Sequence, residues 1–358
     1  MGDTTHLFAA WYGQWWFLFV AAQLEPARIQ ARELLDYARR QADPILLLTA
    51  HRALGYTLYD LGEFASACQE FEEGMGIYRK QLHAQAARYG GTDPGVGCLC
   101  FLAMALWYRG YPDQALARIT DAVSLAEELA HPLSLSGSLN FAARVAQFRR
   151  EVQVCRARAE ASILASTKLG FSYWLAEATV LRGWALAAEG QNELGLNQMR
   201  EGMGAYAATG GMLWRLYYLA LAAESCGVVG RFEDGLTQLA EAIGLVQTTD
   251  EHEHEAELYR LRAELSLKRT AVADLSKPVF NETGERDFRR AIAIAVNQQA
   301  KSLELRATTS LARLLRDTGR RDEARTMLAA IYDWFTEGFD TADLKDAKAL
   351  LDRLDSES

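Results

Sequence analysis

Turn signals in this chain recur at a spacing of 40 residues, and that register limits the possible folds more than any other feature. Four segments share one pattern, an apolar helix, a short turn and a second helix, with turns centred on Gly110, Arg150, Gly190 and Gly230. The same phase extends back to Gly62 and Ala22 and forward to Gly319. Gly62 and Gly110 stand 48 apart, an insertion of eight, and Gly230 and Gly319 stand 89 apart, two periods plus nine. Such a period marks a stack of helical hairpins, each burying its apolar face on its neighbours. Eight hairpins, with turns near 22, 62, 110, 150, 190, 230, 270–279 and 319, account for the chain. The expected fold is therefore all-α: a right-handed α-solenoid forming one repeat domain over residues 1–358. Length alone would have suggested two or three globular domains.

The extra residues are expected near 81–97 and 270–284, where turn chemistry is densest. The first insertion centres on Tyr89–Gly95 (YGGTDPG) and the second on Thr270–Gly284 (TAVADLSKPVFNETG). Pro44 and Pro132 each lie 18 residues before a turn and follow a polar residue, as suits the first turn of a helix. With only six prolines in 358 residues, long uninterrupted helices are expected. Seven before each turn a small residue recurs: Gly55, Ala103, Ala143, Gly183, Ala223, Ala263 and Ala312. Five after it comes another: Ala27, Ala67, Ala115, Cys155, Gly195, Gly235 and Ala324. Glycine inside a helix costs about 1 kcal/mol relative to alanine. Gly183, Gly195 and Gly235 therefore read as points of close helix approach.

Gly55, Gly62-Glu63-Phe64-Ala65-Ser66-Ala67 and Phe71 resemble a tetratricopeptide repeat (TPR), with its small residues, turn glycine and aromatic at these offsets. The period of 40 exceeds that family's usual 34, which implies longer helices, similar to the extended repeats of bacterial regulator sensor domains. The C-terminal run Trp334–Leu344 (WFTEGFDTADL), followed by Ala347–Leu351 (AKALL), resembles the ending of bacterial multidomain regulators. In those, a class III nucleotide cyclase or DNA-binding domain precedes a STAND-type ATPase and a helical-repeat tail. Arg109–Ala115 and Gln298–Arg306 resemble that tail more weakly. No cyclase or ATPase segment is present, so a repeat fragment and a stand-alone paralogue both remain open.

Composition narrows the partners. A net charge of −9 argues against nucleic acid, which needs clustered Lys and Arg. Five sparse cysteines suit a reducing compartment better than a disulfide framework, so a cytoplasmic location is expected. Leu7–Ala22 is apolar but short for a membrane span and contains Gln14; a buried or groove-lining helix is the better reading, and no membrane partner is expected. Trp11, Trp15, Trp16 and Phe17 make that helix too apolar for a solenoid cap, which points to cover by another domain or by a homodimer partner. No phosphate loop, nucleophile elbow or H-E-x-x-H occurs, and neither a catalytic residue, a cofactor nor a metal is expected. Asp250–Glu255 (DEHEHE) reads as a solvated acidic helix start.

A repeat stack presents its first helices on a concave face. The groove positions are Tyr56, Tyr59, Met104, Trp107, Tyr108, Asn140, Arg144, Phe148, Trp184 and Tyr217. Tyr12, Trp16 and Phe19 extend the set at the N-terminal end, and Glu224, Glu257, Arg260, Glu264, Arg306, Arg313 and Arg316 at the other. The groove is thus expected to be aromatic in its first half and charged in its second. Trp and Tyr carry binding energy where water is excluded. The expected function is a non-catalytic scaffold or regulatory sensor gripping a protein or peptide segment, or a small-molecule effector. The second reading is a small-molecule sensor or an enzyme whose pocket is enclosed by the curled stack.

Overall fold

The computed structural model describes residues 2–83, 89, 91–273 and 282–356. Seventeen α-helices and one short 3₁₀ turn make up the ordered elements among them. The hairpins run α1 (Gly2–Val20) with α2 (Leu24–Gln41), α3 (Pro44–Asp60) with α4 (Phe64–Ile77), α5 (Pro94–Tyr108) with α6 (Pro112–Glu128), and α7 (Pro132–Phe148) with α8 (Val152–Leu169). They continue with α9 (Ser172–Ala188) and α10 (Asn192–Ala208), α11 (Arg215–Val228) and α12 (Phe232–Thr249), α13 (Glu255–Ala273) and α14 (Glu282–Asn297), and α15 (Lys301–Asp317) and α16 (Arg321–Tyr332). A last helix, α17 (Ala342–Ser356), packs on α15 and α16. The chain is a right-handed α-solenoid of TPR-like hairpins.

Each hairpin turn satisfies the carbonyls left over at the end of its first helix. Glu63 N donates to Leu58 O, Tyr111 N to Leu106 O and Gln191 N to Leu186 O, each at 2.9 Å, the bond that closes a left-handed helix stop. That stop needs a positive φ, which explains Gly62 (+77°), Gly110 (+88°) and Gly190 (+90°). Arg150 adopts the same conformation at φ 60° with a full side chain.

The periodic small residues are where helices touch. A Cβ on Gly195 would lie 2.5 Å from Gly183 O and 2.6 Å from Ala187 N, backbone atoms with no freedom to yield. Gly55 makes room for the Phe71 ring instead, and the alanines of both series are fully buried.

The two insertions begin and end differently from their sequence outline. Pro94 and Gly95 are not loop but the start of α5, because Asp93 Oδ1 accepts from Val96 N at 3.0 Å and Pro94 occupies the first turn. Residues 270–273 likewise continue α13, with Thr270 Oγ1 bonded to Ser266 O at 2.9 Å, and α14 has begun by Glu282. The rest of the expected turn at 270–279, like residues 84–88 and 90 of the first insertion, lies outside the described residues.

The stack curls until its early hairpins meet its late ones. His252 N donates to Asp60 O at 2.8 Å, Tyr108 Oη meets His254 Nδ1 at 2.9 Å, and Ser302 Oγ donates to Trp107 O at 2.5 Å. At the chain's end Glu337 Oε1 accepts from Asp113 N and Gln114 N, a cap on the start of α6. The odd-numbered helices therefore surround an interior.

The close α9–α10 approach makes a direct stability prediction. Gly195→Ala should cost about 1–3 kcal/mol in urea unfolding, because only the backbone could move. Gly204→Ala, in the same helix with nothing within 4 Å of its would-be Cβ, should instead add up to about 1 kcal/mol. Equal effects would show that helix approach does not set the glycine positions.

Candidate functional site

All ten expected groove positions are buried. Most are brought together around one guanidinium. Arg144, 2% exposed, lies 4.1 Å from the Tyr217 ring centroid, 4.8 Å from Trp214 and 5.7 Å from Phe148. Phe148 stacks on Trp107 at 4.6 Å, and Tyr108 touches both Phe148 and Tyr59. Tyr59 Oη points at Met104 Sδ (3.7 Å), and Tyr217 Oη donates to Gln147 Oε1 at 2.9 Å. Three positions stand apart. Tyr56 stacks on Phe101 at 3.8 Å, Asn140 Nδ2 donates to Trp174 O at 3.2 Å, and Trp184 Nε1 donates to Glu224 Oε2 at 2.9 Å.

The DEHEHE segment corrects its sequence reading. Glu251, Glu253 and His254 are buried, not solvated. They precede α13 on a non-helical stretch, so the adjacent Glu253 and His254 can both be buried along with Glu251. Glu251 Oε1 accepts from Trp214 N at 2.6 Å, while Trp214 Nε1 donates to Asp60 Oδ1 at 2.9 Å. Glu253 lies 3.9 Å from Arg144 and finds no hydrogen-bond donor among the described residues. Three buried acids thus share one arginine. Burial pushes the Asp60 carboxyl up to about 7 against the pull of Trp214 and Arg144. Burial, then repulsion from Asp60, pushes Glu251 up to about 8, and burial with both neighbours pushes Glu253 well above the usual range. Nearby, burial raises Glu177 to about 7 and lowers His254 to about 3. A signal for this cluster existed in Asp60 itself, an acid at the end of an apolar helix.

Two chambers adjoin the cluster, one lined by His254 and the other by Trp214. One, of about 720 Å³, is walled by α7, α11, α13, α15 and α17. Its floor is a fixed ion network: Arg260 grips Glu257 through Nε and Nη2 at 2.8 and 2.7 Å and reaches Glu264 through Nη1 at 2.6 Å. Burial works to raise the Glu257 carboxyl, but Arg260 and Arg306 hold it down to about 2. Arg306 is engaged by Asp343 at 2.7 Å. Arg150 and Arg313 approach Asp346 only to 3.6 and 3.7 Å, and Lys268 has no ion pair among the described residues. Glu224, Glu257, Arg260, Glu264, Arg306 and Arg313 all line this chamber, and Arg316 does not. The other chamber, of about 660 Å³, is aromatic and holds Tyr12, Trp16, Phe19 and Tyr56.

Elsewhere, ligand atoms of His51, Glu70 and Glu73 come within 4.8 Å of one another, with His51 Nδ1 2.7 Å from Glu70 Oε2. The five cysteines are unpaired and buried. No described helix is long and apolar enough to cross a membrane. The N-terminal helix buries Phe8, Tyr12, Trp15 and Phe19 and leaves Trp16 and Phe17 exposed.

The chain contains tetratricopeptide repeats: residues 48–73, 96–119 and 305–330 match that family. An uncharacterized protein of Rhizobium meliloti (strain 1021) is 23% identical over 319 residues, covering 88% of this chain. The chain spans 30% of that relative's length. Among solved structures, a Rap protein complexed with Competence and Sporulation Factor superposes with a TM-score of 0.60 at 11% identity over 98% of both chains. A Rap conjugation gene regulator of the plasmid pLS20, in complex with the Phr* peptide, gives 0.56 at 9% identity, over 98% of this chain and 96% of its own. These likenesses establish a shared curled-repeat fold.

The raised carboxyls make stability depend on pH. Between the ordinary carboxylate range and their raised values, the folded chain holds protons that the unfolded chain has released, so stability falls as pH rises through that interval. His254, neutral when folded, works oppositely below about 6.5; above that, the acids and His252, raised by its hydrogen bond to Glu255, act in the same direction. Thermal unfolding followed by circular dichroism should show Tm falling from pH 6.5 to 8.5, and Glu251→Gln should flatten the slope. A Tm that rises over this range would contradict the buried-acid assignment.

Proposed function

We propose that this chain is a non-catalytic regulatory sensor that takes a short peptide into its charged chamber. The observation that carries the reading is the chamber's mixed wall. A peptide backbone presents donors and acceptors alternately; here Gln147 Nε2 can donate and the second Glu224 oxygen can accept, since among the described residues only Gln147 Oε1 and Glu224 Oε2 are taken, by Tyr217 and Trp184. Arg150, Arg313 and Lys268 remain weakly engaged for an acidic side chain or a C-terminal carboxylate. The floor ions are already paired, so they offer shape and field, not new bonds. The two Rap structures, which hold Competence and Sporulation Factor and the Phr* peptide, support a peptide as the occupant.

The relative's greater length supports the further reading that the repeats serve a longer multidomain regulator as its sensing tail. Occupancy would act through the curl. Chamber walls come from α7, α11, α13, α15 and α17, elements far apart in sequence, so a ligand touching all of them favours the closed superhelix. The exposed Trp16 and Phe17 on α1 support a second copy or an attached domain as cover for that helix.

A peptide array probed with the full chain should enrich sequences bearing acidic residues. The double variant Lys268→Glu/Arg313→Glu should weaken the selected peptides at least about 10-fold, a loss of roughly 1.4 kcal/mol. Its Tm should move little, since the pair broken is long and half-exposed. Unchanged affinity in that variant, or no selected peptide, would remove the charged chamber from consideration.

A further inference from the structure

The aromatic chamber contains a charge that no acid among the described residues balances. Arg52, on α3 and 4% exposed, lines this 660 Å³ space. Its Nη1 donates to Thr92 O at 3.0 Å and its Nη2 to the Tyr12 hydroxyl, while Nε is buried with no acceptor among the described residues. The guanidinium lies 5.6 Å from the Tyr12 ring centroid and 5.9 Å from that of Tyr56. The other buried arginines each have an acid within 4 Å: Arg144 has Glu253 at 3.9 Å, Arg149 has Glu151 at 2.7 Å, and Arg260 has Glu257 at 2.7 Å. Among the described residues Arg52 forms no ion pair. A buried cation without a counter-ion is costly, and this one faces a chamber large enough for an organic molecule.

The walls and the charge together specify the missing partner. Phe141, Trp174 and Trp214 join Tyr12 and Tyr56 in offering ring faces and edges, which favour a planar aromatic body. The rim is formed by Gly91, Thr92, Thr209 and Gly210, with the half-exposed Trp16 beside them, so the chamber opens to solvent between α1 and two loops. One guanidinium with two donors already committed matches a monoanion better than a phosphate dianion. We infer that the N-terminal chamber is a second ligand site, distinct from the charged chamber, which binds a small aromatic monocarboxylate with its carboxylate on Arg52. The acid supplies the counter-ion and its ring fills the aromatic space.

The test is titration calorimetry on the full chain with indole-3-acetate, phenylacetate and 2-naphthoate, against the neutral indole-3-acetamide. At least one acid should bind, and indole-3-acetate should bind at least 10-fold more tightly than its amide. In Arg52→Met that preference should vanish while the array-selected peptides still bind, which separates this site from the charged chamber. Should Arg52→Met fail to fold, Ala9→Trp serves instead: Ala9 is an exposed α1 residue on the chamber wall, and a bulky ring there should abolish acid binding. Equal affinity of acid and amide for the unmodified chain would overturn the inference. So would silence of all three acids at millimolar concentration, or acid binding that survives Ala9→Trp.

Discussion

The closed shape of this protein depends on how one buried arginine is accommodated. Arg144 forms no hydrogen bond among the described residues, and its charge is met by the faces of Tyr217, Trp214 and Phe148 and by Glu253 at 3.9 Å. Trp214 in turn binds Asp60 through its indole and Glu251 through its backbone. Those contacts join α3, α7, α11 and the segment before α13, helices that a less curved solenoid would hold apart. Breaking one member would strand the others, since an unpaired buried ion is far costlier than the pair itself is stabilising. The cluster is therefore better understood as specifying a curvature than as a source of stability.

Curvature of this degree converts a groove into chambers. In an open repeat stack the concave residues meet water or a long ligand. Here Tyr59, Trp107, Tyr108 and Phe148 meet one another and the acid cluster, and a chamber lies beyond each end of that cluster. The division follows the chain. Aromatic residues of the first hairpins wall one chamber, and paired ions of the last hairpins wall the other. Burial raises the Asp60 and Glu251 carboxyls, so this part of the interior responds to pH.

Much of the architecture was legible in the residues because hairpin packing is local. A small residue seven before a turn and another five after it reflect one contact, seen at its tightest where Gly183 and Gly195 meet. The turn glycines were readable for the same reason, since a left-handed stop needs a positive φ. Local chemistry also misled in places. Pro94-Gly95 looks like loop until Asp93 is seen capping α5, and DEHEHE looks solvated until its neighbours across the axis are known.

By itself, then, the sequence determined the period, the class of fold, the helix contacts and the change from aromatic to charged inner positions along the chain. All of these arise within one hairpin or between adjacent ones. Only the tertiary structure decided that the first helices meet the last, that Asp60 and Trp214, 154 residues apart, share a hydrogen bond, and that Arg52 has no acid beside it among the described residues. Each of those facts depends on superhelical curvature. Curvature accumulates from small rotations at every repeat interface, and no single 40-residue unit contains that sum.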